Sequence, residues 1–210
     1  MLLAIAGAGP VAQAFGKALR ESGFEIACVA SRDLDHARVA ATFIGTIAVP
    51  YREIASRASH ALIAVSDRAI TPVAEEIARN GGKLQTALHT CGSYGPEALA
   101  PLAASGVSRG AIHPFQTIRD ATQGAAALKS AAFSICGDQI ALSFAETIAS
   151  ALSGNILRIE PEGRPLYHAA AVMASNYIAA IMDSAENLMR LAGVSNEHAR
   201  RALAPLARTG

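Results

Sequence analysis

Apolar positions fall into short runs separated by stretches in which they recur at three- and four-residue spacing. The runs at 2–6, 26–30, 46–49, 61–65, 84–89 and 107–112 predict buried strands. The stretches at 11–20, 33–43, 51–58, 70–80 and 96–105 predict helices. Pro10 suits the first turn of the first helix, and Gly81-Gly82 and Gly106 are stop signals for the last two. Strands alternating with single helices predict an α/β fold with a doubly wound, mostly parallel sheet covered on both faces. Past Pro114 the rhythm loosens to a strand at 132–136, a helix at 139–152 and a strand at 156–159. A different regime follows. One long helical run covers 162–192 and stops at Gly193, and a last helix covers 196–207. The expected division is an α/β domain over 1–158 and an all-helical region over 159–210.

Composition narrows the function. A chain of 210 residues that is 51% hydrophobic and 17% charged can build a core and is not disordered. A net charge of +1, 5% aromatics and no Trp give no grip on nucleic acid or anionic lipid, so neither partner is expected. No apolar run reaches the length of a membrane span. Cys28, Cys91 and Cys136 are far apart and odd in number, which predicts no disulfide framework, no zinc site and a reducing, cytoplasmic setting. Met1 to Ala8 is apolar like a signal peptide, but no basic residue precedes it, and the same stretch reads as a strand entering a glycine turn.

That turn carries the first chemistry. Gly7-Ala8-Gly9-Pro10-Val11-Ala12 follows a strand and opens a helix, the setting in which G-x-G-x-x-A binds a dinucleotide. Gly7 permits the tight turn, Gly9 lets a pyrophosphate approach the backbone, and small Ala12 allows close packing of helix on strand. Ala8, Pro10 and Val11 complete the expected cradle, and the helix start offers free N–H groups to phosphate. The second strand ends at Ser31-Arg32, where an acidic residue would mark NAD. A hydroxyl and a guanidinium suit a 2′-phosphate, so NADP is expected over NAD. Asp33 would favour NAD if the register slipped by two residues, and Ser31 has a second reading as a helix cap. Val65 and Ser66, at the end of the fourth strand, are expected beside the ribose and nicotinamide, with Asp67 capping the next helix.

A second set is polar and lies at later strand ends: His89-Thr90-Cys91-Gly92-Ser93 and His113-Pro114-Phe115-Gln116-Thr117. The long helix carries Tyr167-His168-Ala-Ala-Ala-Val172 and Ser175-Asn176-Tyr177. His168, Val172, Ser175 and Ala179 share one face at regular helical spacing, with Asn176 beside them. Such a row either meets neighbouring helices or faces a ligand.

The glycine turn, the His113-Pro114-Phe115-Gln116-Thr117 segment and the Tyr167–Tyr177 motif together resemble the bacterial Rossmann-like proteins that carry a C-terminal domain of unknown function. These are named as candidate NADP-dependent oxidoreductases. They are grouped with the proteins whose helical C-terminal domain is like that of 6-phosphogluconate dehydrogenase, with pyrroline-5-carboxylate and ketopantoate reductases as distant relatives. The resemblance spans the chain. It implies a Rossmann-type domain, an NADP cofactor and further helices beyond Pro205-Leu206, so that the helical region would be incomplete here or completed by a partner subunit. Related hydroxyacid dehydrogenases use a lysine on the long helix, whereas Lys17, Lys83 and Lys129 all lie outside it. Proton transfer would then fall to His168 or His113, with Asn176 and His113 orienting a small carbonyl or imine substrate. The alanines and apolar residues of the long helix predict a homodimer formed through it. Two other readings stay open: a non-catalytic NADP-binding protein whose assembly responds to nucleotide, and a fold that binds none.

Overall fold

The computed structural model describes residues 1–209. The chain divides into two compact units, Met1–Arg164 and Pro165–Gly210. In the first, eight strands form one sheet: β1 (Leu2–Ala6), β2 (Glu25–Ala30), β3 (Ala48–Val49), β4 (His60–Ile63), β5 (Thr86–His89), β6 (Ser108–Pro114), β7 (Ala132–Gly137) and β8 (Asn155–Arg158). Their order is β3-β2-β1-β4-β5-β6-β7-β8. The first six strands are parallel, in the 3-2-1-4-5-6 order of the doubly wound dinucleotide-binding fold. β7 is antiparallel to β6, and β8 runs parallel to β7.

Side-chain alternation along the strands sorts the core into two layers. Leu3, Ile5, Leu62, Leu88 and Ile112 point to one layer, where they meet Phe15 and Leu19 of α1 (Pro10–Glu21), Ile44 of α2 (Leu34–Ile44) and Phe144 and Ile148 of α6 (Gln139–Ala151). Ala4, Ala6, Ala30, Ala61 and Ala87 point to the other, with Ile54 of α3 (Ile54–Arg57), Val73 and Ile77 of α4 (Ile70–Ala78), and Leu99 and Leu102. Much of the alanine content is thus spent on a sheet face that helices can approach closely. Phe15 and Phe133, with ring centroids 6.3 Å apart, tie α1 to the antiparallel part of the sheet.

The loose stretch after Pro114 holds a helix that spacing does not predict, α5 (Ala121–Leu128). Asp120 caps it by accepting from the Gln123 N–H at 2.8 Å, and Gly124, Ala125 and Leu128 are buried. Its apolar residues are mostly alanines, so they carry little periodic signal. The helix expected at 96–105 is a 3₁₀ segment, Pro96–Ser105, with non-helical geometry at Leu99. Pro101 lies inside it, where it has no N–H to donate and crowds the preceding turn.

In the second unit, α7 (Arg164–Val172) continues through a π-helical turn (Met173–Tyr177) into α8 (Ile178–Leu191), 28 residues in all. The π turn shifts the helical phase, so the regular face expected for His168, Val172, Ser175 and Ala179 does not run through it unbroken. After Gly193, which takes a positive φ of 87°, α9 (Asn196–Thr209) turns back, and Arg200 Nε donates to Glu186 Oε2 at 2.9 Å. Among the described residues of this unit Ala199 alone is buried. Leu166, Met173, Tyr177, Ile178, Ile181, Leu188 and Leu191 are exposed. No helix among the described residues is long and apolar enough to cross a membrane.

Candidate functional site

Strand register assembles the site. Ala6, Ala30, Ile63, His89 and Ala111 are aligned across five neighbouring strands. The residues that follow them emerge along one sheet edge, at the crevice between β1 and β4 where the chain order reverses. There an open cavity of about 640 Å³ is lined by Gly7, Ala8, Gly9, Pro10, Val11, Ser31, Arg32, Val65, Ser66 and His113. The nine residues expected to hold the nucleotide thus border one space together with His113. Tyr51, His36, Glu76, Thr90 and Cys91 line it as well.

The two glycines have different reasons to be glycine. Gly7 takes φ +129°, and its N–H donates to Ala30 O at 2.7 Å. A Cβ on it would overlap the Ala64 carbonyl oxygen and lie 2.9 Å from the carbonyl carbon and 3.2 Å from Ala12 Cβ. That packing also explains why residue 12 must be small. Gly9 sits at φ −76°, ψ 175°, open to any residue, and a Cβ there meets nothing within 4 Å. It is the N-cap of α1, makes no side-chain cap, and the first turn of α1 carries no acidic residue. The start of a 12-residue helix therefore presents N–H groups and its positive end to an open cradle that a Cβ would fill. That arrangement fits a diphosphate.

Beyond β2, Ser31 is half-buried and Arg32 exposed. Asp33, not Ser31, is the N-cap of α2: its carboxylate accepts from the Asp35 and His36 N–H groups at 2.8 and 3.3 Å. Those backbone bonds hold its carboxyl below the usual range. Both bonds go to Oδ1, while Oδ2 lies 3.8 Å from His36 Nδ1, and Asp33 lines the same cavity. Tyr51, almost fully buried, lines the cavity together with Ser31 and Arg32, and burial pushes its phenol pKa up. Sequence reasoning misses Tyr51 because it lies twenty residues away and reads as a helix start.

On the other side of the crevice, Asp67 opens a 3₁₀ turn (Asp67–Ala69) and does not make the expected cap; Ser66 stands at the cap position without a side-chain bond. Asp67 lines the cavity with Cys91, whose thiol lies 3.3 Å from Ser93 Oγ. His113 lies within β6 rather than after it, opposite Ser134 of β7. It is half-buried, and a Cβ on Gly92 would come within 2.8–2.9 Å of its ring atoms. Glycine at 92 thus lets the 89–95 loop lie against the imidazole. His89 is wholly buried and structural. Its Nδ1 accepts from the Cys91 N–H at 3.2 Å, so Nε2 carries the proton and donates to Gly95 O at 2.9 Å, and burial pushes its pKa down.

His168 and Asn176 belong to the second unit, and both are exposed there. His168 lies on α7 and Asn176 inside the π turn, where the Ser175 hydroxyl donates to Ala171 O at 2.7 Å and contacts Asn176 Oδ1 at 3.4 Å. π turns recur at functional sites. No group of three or more metal-ligating side chains occurs among the described residues.

Residues 1–114 match the profile of a Rossmann-like domain, and residues 131–210 that of a domain of unknown function, DUF2520. No curated protein matches the chain. Among solved structures, the chain is similar to a candidate NADP oxidoreductase from Bacteroides fragilis (TM-score 0.82, 23% identity, 99% of this chain and 79% of that one). It is also similar to a Thermotoga maritima protein (TM-score 0.72, 24% identity, 99% and 77%). A pyrroline carboxylate reductase from Plasmodium falciparum, solved with NADP bound, shares the fold at 13% identity (TM-score 0.69, 100% and 76%). With more than half of its length matched by the first profile and its C-terminal part by the second, the chain belongs to the Rossmann-like family that carries this domain of unknown function.

Proposed function

We propose that the protein is an NADP(H)-dependent oxidoreductase acting on a small carbonyl or imine substrate. The observation that carries the reading is the uncapped start of α1 beneath Gly7-Ala8-Gly9, with Arg32 lining the same cavity. In this reading Gly7, Ala8, Gly9, Pro10 and Val11 hold the pyrophosphate. Ser31 and Arg32 hold the 2′-phosphate, and Val65 and Ser66 border the ribose and nicotinamide. The bound nucleotide supplies or accepts the hydride. His168 donates or accepts the proton at the substrate oxygen or nitrogen, while Asn176 and His113 orient the substrate. Fold likeness to a candidate NADP oxidoreductase and to a reductase solved with NADP supports the cofactor. The exposed apolar residues of the long helix support a homodimer, in which a second copy covers them. Three free cysteines, buried or half-buried, support a reducing, cytoplasmic setting.

Titration of NADPH and NADH into the wild type and Arg32→Ala tests the reading. A charge-assisted bond from Arg to phosphate contributes about 1.5–3 kcal/mol, so NADPH binding weakens about ten- to a hundredfold and NADH binding stays the same. Equal wild-type affinity for the two nucleotides overturns the NADP assignment. Turnover of NADPH with oxo acids or cyclic imines supports the enzyme. Tight nucleotide binding without turnover across that panel favours a binding protein that responds to NADP.

A further inference from the structure

We propose that Glu76 reads the adenine base of the nucleotide, its carboxylate accepting from the exocyclic amino group. The inference rests on the NADP reading and deepens it.

The observation is a row of side chains along α4. Its N-cap Ala69 and the helical residues Pro72, Val73 and Glu76 all line the cavity. They fall at i, i+3, i+4 and i+7, so they share one face of the helix. The adjoining face, with Ile70, Ala74 and Ile77, is buried against the sheet and fixes the helix in place. Val73 is itself 6% exposed, and Pro72 stands exposed beside it. The 3₁₀ turn Tyr51–Glu53 packs on α4, and Tyr51 borders the same space. A proline ring, a valine and a phenol make an apolar floor for a flat ring. Glu76 is the one charged member of the row, about 10 Å along the helix axis from Ala69.

The direction of the nucleotide follows from the fold. The diphosphate lies at the glycine turn, and the end of β2 faces the adenosine ribose. The base therefore lies on the side of β2 and β3, where Tyr51 and Arg32 border the cavity. Arginine stacks on aromatic faces as well as pairing with phosphate, which suits Arg32 to the second face of the base. Glu76 is half-buried, and among the described residues no ion pair involves it. A carboxylate set beside an apolar floor calls for a donor. Adenine is a flat apolar ring with an amino group on its edge. An ionised carboxylate only accepts, so it pairs with that group and repels the carbonyl oxygen that hypoxanthine carries in the same place.

The test titrates two nucleotides, NADPH and its hypoxanthine analogue, into the wild type and Glu76→Gln and reads binding by fluorescence. The wild type binds NADPH about ten- to a hundredfold more tightly, the loss of one charge-assisted bond in the analogue. Glutamine keeps an oxygen for the amino group and adds an N–H for the carbonyl. Glu76→Gln therefore brings the two affinities within about threefold of each other or reverses their order. A side chain that served only to hold α4 would change both affinities alike. Equal wild-type affinity for the two, or a preference for adenine that Glu76→Gln leaves unchanged, overturns the inference and leaves the NADP reading standing. A wild type that binds neither nucleotide overturns both. Should Glu76→Gln fail to fold, Glu76→Ala must lose the same preference, and its retention overturns the inference.

Discussion

Replacing Gly9 with alanine separates ligand binding from folding at this site. The backbone at Gly9 lies in the extended region, and a new Cβ meets no atom within 4 Å. The folded chain therefore accepts the methyl group without strain. Restricting the unfolded chain even favours folding by about 0.4–1 kcal/mol at a compatible position. The bound state is different. The methyl group occupies the space through which a phosphate oxygen would reach the N–H groups of α1. Loss of one or two such charge-assisted bonds, at about 1.5–3 kcal/mol each, weakens NADPH binding by at least about tenfold and up to about 10⁴-fold. Gly7→Ala is the contrasting variant. At φ +129° an alanine is strained, and its Cβ collides with the Ala64 carbonyl. That costs about 1–3 kcal/mol for the backbone alone. Thermal melting and fluorescence titration on both proteins give the comparison: Gly9→Ala melts at or above the wild type and binds poorly, and Gly7→Ala melts lower. Wild-type affinity in Gly9→Ala would show that no phosphate approaches this turn, and the dinucleotide reading would fall.

Three further outcomes are expected. His168 is exposed, so His168→Asn leaves melting and NADPH affinity nearly unchanged and lowers kcat about 10²–10⁴-fold, measured by steady-state turnover once a substrate is in hand. Light scattering at micromolar concentration gives twice the chain mass, and Ile181→Glu on the exposed face of α8 shifts it toward one chain. Asp33 has its carboxyl pKa lowered by the N–H groups of Asp35 and His36, so its charge-dependent contribution is complete above the unfolded value near 3.9. Asp33→Ala therefore melts below the wild type at neutral pH. The gap narrows as the pH falls through that value toward the lower folded one, and a gap that widened in acid would contradict the cap.

Some of this was legible in the sequence because it is local. The turn Gly7-Ala8-Gly9-Pro10 is a matter of backbone conformation and helix start within six residues, so residue type and spacing carry it. Periodicity carried the strand–helix alternation for the same physical reason: it reports which side of an element is buried. It does not report against what. The antiparallel direction of β7, the placement of His113 inside β6 and the alanine-rich α5 depended on how strands and helices met in space. The π turn broke a face that 3.6-residue spacing had made continuous. Asp33 took the cap that Ser31 also suited, and the choice followed from where β2 ended at Ala30. Tyr51 shows the division most plainly. Nothing near it in sequence marks it for the cavity, and only the pairing of β3 beside β2 brings it to the space that Ser31 and Arg32 line. Local conformational preference determined the elements and the phosphate turn. Hydrogen-bond register between distant strands decided which side chains share the cavity, because that register is set by packing across the whole sheet.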